Sequence, residues 1–178
     1  MLAEREGQIV RQEMLANGQV QTISGTGEAT IHSVRLLDQR QRSVEVAEVG
    51  QPMVLEVQVD VRQDIERLVL GFMIKDRMGQ PIYGINTHRL QRALENLAAG
   101  ERVTYDFRFP VRLGKGNYSI ALSLSRFDSH LDKNYEWRDY ALVFHVINVQ
   151  QPDFVGCAWL DSQVAIERSG SLAAEACH

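Results

Sequence analysis

Cysteine is scarce in this chain of 178 residues, which carries only Cys157 and Cys177. The two positions are far apart and form no C-x-x-C pair, so the sequence predicts neither a structural zinc site nor a disulfide framework. We interpret both side chains as free thiols.

Long apolar runs and an excess of basic charge are also missing. No run approaches the roughly 18 residues of a membrane-spanning helix, and the N-terminal "MLAEREGQIV" has charges where a signal peptide needs an apolar core. With 19 basic and 23 acidic residues, the formal net charge is −4, which gives no electrostatic footprint for nucleic acid or an anionic membrane. We expect a soluble, cytoplasmic protein that neither binds nucleic acid nor inserts into the membrane.

Catalytic motifs are missing as well. "RLGKGNY" lacks the G-x-x-x-x-G-K-[ST] spacing of a phosphate loop and is typical of a turn that enters a strand. The histidines have no paired spacing for a metal, and no G-x-S-x-G elbow is present. Asp128, Asp132 and Asp139 cluster near a predicted loop, but a glycosidase needs two carboxyl groups facing each other across a sugar. We expect no enzymatic activity, no cofactor and no metal.

What the sequence does have is period-two alternation. Residues 52–61, "PMVLEVQVDV", place apolar side chains on one face and Glu56, Gln58 and Asp60 on the other. Residues 102–110, "RVTYDFRFP", and 117–125, "NYSIALSLS", repeat this pattern, and the outer face of the second is small and polar. Further candidate strands are 29–37, 44–48, 67–75, 81–87, 138–147 and 154–166. The predicted fold is all-β: an antiparallel two-sheet β-sandwich of jelly-roll or immunoglobulin-like type.

Two stretches differ from this pattern. Residues 1–24 are polar, match no single apolar face and precede a turn-rich break, so we interpret them as a linker or loosely docked segment before a domain at 25–178. Residues 88–102 place Leu90, Leu94 and Leu97 on a helical stripe that ends near Gly100. One or two helical turns are predicted there.

A polar cluster ends the predicted strand at 81–87. If Leu70, Phe72 and Ile74 face the core, the residues between them face outward, and the same reasoning applies to the next strand. These outward positions, together with two serines of a neighbouring strand, predict a shallow polar floor. Its members are Gly71, Met73, Gly84, Asn86, His88, Ser123 and Ser125. Glycine lets a sugar approach the backbone, and the Asn86 amide suits vicinal hydroxyls.

Residues near the predicted loop at 126–137 also suit a sugar. Sugars present C–H faces that stack on aromatic rings and hydroxyls that need planar polar partners. Arg126, Asn134, Trp137 and Trp159 are of these types. The alternative is that each aromatic ring anchors a loop on the edge of the sandwich.

Taken in order, several segments resemble a known family. These are "GTGEATIHSVRLLD" at 25–38, "GQPMVLEVQVDV" at 50–61, "LVLGFMIKDRMGQPIYGINT" at 68–87 and "GERVTYDFRFPVRLGKGNYSIALSLS" at 100–125. Together they resemble the C-terminal domain of Wzt-type proteins, the ATP-hydrolysing subunits of ABC transporters that export O-antigen polysaccharide. The chain has no Walker A sequence, so we do not expect it to hydrolyse ATP itself.

The resemblance implies a β-sandwich that binds the exported O-antigen polysaccharide, often at its modified non-reducing end. It also implies partners: the ATPase domain and membrane subunit of the transporter, and a second copy in a homodimer that exchanges its last strand, here residues 154–168. Two alternatives stay open. One is a purely structural dimerisation domain that binds no glycan, and the other is a glycan-modifying hydrolase.

Overall fold

A computed structural model describes residues 9–15, 18–127 and 134–168. Within those residues the chain forms eleven strands and no helix. In chain order they are β1 (Ile9–Met14), β2 (Val20–Gly25), β3 (Ala29–Leu37), β4 (Val46–Glu48), β5 (Pro52–Val61), β6 (Ile65–Lys75), β7 (Pro81–Asn86), β8 (Leu94–Leu97), β9 (Arg102–Pro110), β10 (Gly116–Ser125) and β11 (Asn134–Ile147).

The strands form two packed sheets. The large sheet has the order β1-β2-β11-β10-β6-β7, with β4 added to β11 and β8 added to β6, and the small sheet has the order β3-β5-β9. Neighbouring strands are antiparallel except for β4 and β11, which run parallel. The predicted antiparallel two-sheet β-sandwich is therefore confirmed.

The core lies between the two sheets and follows the predicted alternation. Along β5, the side chains of Met53, Leu55, Val57, Val59 and Val61 are buried, with exposed fractions of 0–2%. The facing strands of the large sheet contribute Leu70, Phe72 and Ile74 from β6 and Tyr118, Ile120, Leu122 and Leu124 from β10. Burying each large apolar side chain stabilises the fold by about 1.5–3 kcal/mol, so this layer fixes which face of each strand points outward.

β11 is 14 residues long, pairs with β10, β2 and β4, and contains an irregularity. The register with β10 jumps between Ile120 and Leu122, where the partner on β11 changes from Leu142 to Arg138. Tyr140, in the extra length, has a positive φ of 48°. A bulge of this kind bends and twists a strand. The first half of β11 pairs with β2 and the last part with β4.

A buried ion pair joins β11 to the small sheet. Glu136 is 3% exposed, and its Oε2 accepts a hydrogen bond of 3.2 Å from the backbone N–H of Ile31, beside an irregularity in β3. The Arg138 guanidinium donates to Glu136 Oε1 at 2.9 Å and to the Ile31 carbonyl at 3.0 Å. Burial raises the pKa of Glu136, and the Arg138 charge opposes that rise.

Three expectations from the sequence are corrected by this architecture. The described part of residues 1–24 is not a loose segment: β1 and most of β2 lie there, and β2 pairs with β11. Apolar residues exposed on both faces of β1 hid the strand from a pattern search. The predicted helical turns at 88–102 are replaced by turns and β8, because Leu97 is buried opposite Ile65 of β6.

The third correction concerns the candidate strand at 154–166. In this single chain, residues 154–168 form no strand, and their ladder contact is one isolated bridge between Leu113 and Ala158. The Cys157 thiol is exposed there, and Cys177 lies outside the described residues.

We expect Phe72→Ala to lower the free energy of unfolding by about 3–5 kcal/mol, the usual cost of deleting a buried ring. Phe72 is 4% exposed and packs against the rings of Phe107 and Phe109 at centroid distances of 4.9 and 5.8 Å. Urea denaturation measures the change. Met78→Ala, at a position 74% exposed, is the control and should change stability by less than about 0.5 kcal/mol. Similar midpoints for the two variants would show that Phe72 is not central to the core.

Candidate functional site

A groove of about 470 Å³ lies on the outer face of the large sheet, across β7, β6, β10 and the start of β11. The opposite face of the same strands is buried in the core, so the alternation of each strand presents every second residue to the groove. The lining residues are Val69, Gly71, Phe72, Met73, Gly84, Ile85, Asn86, Arg89, Ala121, Ser123, Ser125, Phe127, Asn134 and Trp137.

One cross-strand row forms the middle of the floor. Asn86 on β7 is opposite Gly71 on β6, Gly71 is opposite Ser123 on β10, and Ser123 is opposite Trp137 on β11. Residues directly opposite one another on paired strands share a face, so four different side-chain types stand side by side. From β7 to β11 the row reads amide, bare backbone, hydroxyl and indole.

Gly71 is required for space and not for backbone conformation. A Cβ built at Gly71 would lie 2.7 Å from Ser123 Oγ and 3.3 Å from the Asn86 Cβ. The first distance is shorter than real Cβ contacts allow, so the absence of a side chain keeps the centre of the row open. At Gly84 a Cβ would meet nothing closer than 3.6 Å, so the available space does not require a glycine at that position.

The rows on either side complete the floor. One row consists of Gly84, Met73 and Ala121, and the other consists of Val69, Ser125 and Asn134. Ser125 is 8% exposed, and its hydroxyl donates a hydrogen bond to the Phe127 carbonyl at 2.7 Å. Ser125 therefore shapes the end of the groove, and Ser123 is the more accessible hydroxyl of the two.

Two polar contacts define the sides of the groove. Lys75 Nζ lies 2.9 Å from Asp139 Oδ1 and 5.9 Å from the centre of the Trp137 ring, so this ion pair connects β6 to β11 beside the indole. On the other side, the backbone N–H of Arg89 donates to Asn86 Oδ1 at 2.8 Å. That bond holds the Asn86 amide in place at the start of the turn that follows β7.

The structure brings seven of the ten predicted site residues into this groove, namely Gly71, Met73, Gly84, Asn86, Ser123, Ser125 and Trp137. The other three do not line it. His88 is exposed beyond β7 and accepts a hydrogen bond from Arg67, and Arg126 pairs with Glu66 beside the Phe127 end. Trp159 lies elsewhere, with its ring beside Gly50 and its backbone N–H donating to the Arg112 carbonyl at 3.0 Å.

Arg89 and Phe127 line the groove but were not among the predicted site residues. Arg89 lies three residues after the end of β7, Phe127 lies two residues after the end of β10, and both strands carry floor residues. Their location in turns at the ends of strands could have pointed to them, because residues in loops held by a rigid sheet often contact ligands.

The groove offers amide, hydroxyl, indole and guanidinium groups. None of its lining residues is a carboxylate, and the nearby Asp139 is paired with Lys75. The convergent acid pair of a glycoside hydrolase is thus not found in the described part of the groove. Across residues 9–15, 18–127 and 134–168, no three His, Cys, Asp or Glu side chains group where they could hold a metal. The same residues contain no helix long and apolar enough to cross a membrane.

Comparison with known proteins gives a matching family and a closely similar crystal structure. The model of the Wzt C-terminal domain family matches residues 20–160. A crystal structure of the C-terminal domain of Wzt superposes with a TM-score of 0.72 at 23% identity, and the alignment covers 83% of this chain and 89% of that one. No curated protein matches the chain.

Two glycosidase structures align much less closely. A putative β-galactosidase from Bacteroides fragilis gives a TM-score of 0.35 at 15% identity, covering 74% of this chain and 15% of that one. A β-glucosidase from Listeria innocua gives a TM-score of 0.37 at 12% identity, covering 74% and 17%. These scores are too low to carry a functional argument.

We expect Gly71→Ala to destabilise the fold by about 1–3 kcal/mol, the usual cost of overpacking, because its methyl group displaces the Ser123 hydroxyl. The double variant Gly71→Ala, Ser123→Ala removes the closest contact and should recover about 1 kcal/mol relative to the sum of the single changes. Urea denaturation of all four proteins measures the coupling. Gly84→Ala is the matched control, with no contact closer than 3.6 Å. Additive effects at positions 71 and 123 would contradict the packing described for the row.

Proposed function

The chain belongs to the Wzt C-terminal domain family, and on that premise we propose that it is a non-catalytic carbohydrate-binding module. The family supports an ABC-transporter, O-antigen context. Within that context, the proposed ligand is O-antigen polysaccharide near its non-reducing end, bound on the cytoplasmic side before export. The observation that carries the proposal is the four-strand row of Asn86, Gly71, Ser123 and Trp137.

Each member of the row matches one need of a sugar. The Trp137 indole offers an aromatic face to the C–H side of a pyranose ring, and such contacts give roughly 0.5–1.5 kcal/mol beyond area burial. The Ser123 hydroxyl and the Asn86 amide can both donate and accept, as sugar hydroxyls do. Gly71 leaves the floor low between them, so a ring that stacks on Trp137 reaches these polar groups.

The shape of the groove favours a chain ligand that is held weakly. Its floor crosses β7, β6, β10 and the start of β11 on an open sheet face, which leaves room for an extended glycan. Hydroxyl contacts with protein replace contacts with water of similar strength, and only the surplus contributes to affinity. A transporter that must release its cargo is served by binding of this strength.

A second role, dimerisation, is favoured by a separate observation. The segment at 154–168 is extended and exposes Val155, Leu160, Val164 and Ile166, each at least 74% accessible. Apolar side chains displayed on one segment are typical of an interaction surface. We propose that this segment packs on a second copy, with the last strand exchanged between protomers.

The first experiment titrates the protein with purified O-polysaccharides of several serotypes and follows backbone amide NMR shifts. Saturable shifts with one serotype, centred on Gly71, Asn86 and Ser123, are expected. Trp137→Ala should weaken binding roughly 3- to 10-fold, the loss of one stacked ring. Trp159→Ala is the matched control, because that indole lies outside the groove, and urea denaturation checks that both variants remain folded. Unchanged spectra with every polysaccharide would leave dimerisation as the better function.

The dimer is tested by a chain that ends at Leu160, which keeps Trp159 and the Leu113–Ala158 bridge. The intact chain should be a dimer and the shortened chain a monomer in light scattering after size-exclusion chromatography. Val164→Asp with Ile166→Asp in the full chain should have the same effect, since both side chains are about 80% exposed. A monomeric intact chain, or a shortened chain that stays dimeric, would refute the role of this segment.

A further inference from the structure

β1 presents an exposed edge at one end of the large sheet. It pairs with β2 along its whole length, and no other described strand pairs with it. All six of its residues are exposed, with Ile9 at 64%, Val10 at 63% and Met14 at 79%. The family match begins at residue 20, so β1 lies outside the matched part of the chain. A strand edge that carries exposed apolar side chains is a template for pairing with another strand.

The backbone of β1 directs alternate residues to this edge. Just beyond the last residue pair of β1 and β2, the Leu15 N–H donates to the Gln19 carbonyl at 2.8 Å. In an antiparallel ladder, residues that bond to the partner strand alternate with residues whose N–H and C=O point away from it. Counting back from Leu15, the groups that point away from β2 belong to Val10, Gln12 and Met14. A further strand can bond to β1 only at these outward residues.

The side-chain types of β1 are symmetric about Gln12. If a second copy of β1 runs antiparallel with Gln12 opposite Gln12, Arg11 of each copy lies opposite Glu13 of the other. Val10 then lies opposite Met14, so the apolar side chains also meet. Opposite charges and apolar side chains placed directly across two strands both stabilise the pairing. The strand is therefore complementary to a second copy of itself.

The backbone and the charges together select this register. Two opposed residues must both bond outward or both bond inward, so a symmetric pair is centred on a single residue. Centring it on Arg11 sets two guanidinium groups against each other, and centring it on Glu13 sets two carboxylates against each other. Centring it on Gln12 avoids both contacts. Arg11 and Glu13 then form non-hydrogen-bonded pairs, in which the side chains lie closest.

Within one chain, the two charged side chains of β1 have no counter-ion. On β2, Ile23 is opposite Arg11 and Gln21 is opposite Glu13. The ion pairs among the described residues include neither charge. Arg11 lines a cavity of about 270 Å³ together with Glu136, but that carboxylate is already bonded to Arg138.

The edge strand β9 of the small sheet differs from β1. It ends at Pro110, and its outer side chains include Arg102 and Arg108. Proline has no N–H to donate, and like charges on an edge repel a second copy, so both features oppose pairing. β1 contains no proline, and its two charges are of opposite sign.

We propose that β1 is a docking edge for β1 of a second copy, paired antiparallel about Gln12. The large sheets of the two copies then form one continuous sheet, held by the outward backbone groups and by two pairs of Arg11 with Glu13. This contact is separate from the proposed exchange of residues 154–168 and needs no glycan. Strands this short pair weakly in water, so we expect a dissociation constant on the order of 0.1–1 mM. Chains that make both contacts assemble beyond a dimer at high concentration.

The test uses the full chain with Val164→Asp and Ile166→Asp, so that the exchanged segment does not contribute. Sedimentation equilibrium follows association from about 10 µM to about 1 mM, and NMR follows hydrogen exchange at the amides of Val10, Gln12 and Met14. The chain should associate as its concentration rises. Exchange at these amides should slow roughly 2- to 5-fold over that range, in proportion to the paired fraction.

Charge reversals identify the partner and the register. Glu13→Arg places like charges opposite each other and should weaken association about 5-fold or more. Adding Arg11→Glu restores opposite charges and should return association to within about 2-fold of the starting protein. Gln12→Pro removes an N–H that points away from β2, and it is the second variant if the double reversal lowers stability in urea. Arg108→Glu, on β9 and 71% exposed, is the matched control and should leave association unchanged.

The outcomes also separate a second copy from the chain's own N-terminus, because residues 1–8 lie outside the described residues. Exchange that slows with concentration, recovers its normal rate with Glu13→Arg and slows again with the double reversal supports the proposal. Slow exchange at every concentration shows that residues 1–8 cover the edge and overturns it. A chain that stays monomeric with fast exchange, or association that Glu13→Arg leaves unchanged, also overturns it. None of these results bears on the glycan titration or on residues 154–168.

Discussion

The groove depends on the burial of alternate residues along β6 and β10. Leu70, Phe72 and Leu122 and their neighbours are almost completely removed from water on one face, and this sets the register of the two central strands. A slip of one residue would bury the polar floor and expose the core, at a cost of many times the energy of any single contact. The positions of Gly71 and Ser123 are therefore determined by the apolar residues that flank them in the chain, whose side chains are buried in the core.

This dependence explains how much of the structure could be predicted from the sequence. Strands with clear alternation were located closely: β3 and β5 begin and end at the expected residues. The residues that face outward on β6, β7 and β10 followed from the same period-two alternation. Gly71, Asn86 and Ser123 could therefore be assigned to the outer face without knowledge of strand order. For these residues to form one row, β7, β6 and β10 had to be neighbours in the sheet, and the observed strand pairing shows that they are.

The predictions that were wrong or incomplete have a common physical cause. The position of each of these residues is decided by contacts with residues distant in sequence. Trp159 has the same side chain as Trp137, yet only tertiary structure places one beside Gly50 and the other beside Ser123. Leu97 fits a helical stripe, but pairing with Ile65 made it a strand residue. β1 has no buried face at all, so no periodic signal could have revealed it. A local sequence pattern identifies which face of a strand is buried, but it does not identify which other parts of the chain that strand contacts.

The ion pair between Glu136 and Arg138 has a consequence for how firmly this part of the groove floor is held. These two residues flank Trp137 in the chain, and both are bonded to Ile31 of the other sheet. The backbone on either side of the indole is thus anchored through the thickness of the sandwich. Separation of β11 from β10 beside the indole therefore also requires breaking the bonds from Glu136 and Arg138 to Ile31 of the small sheet.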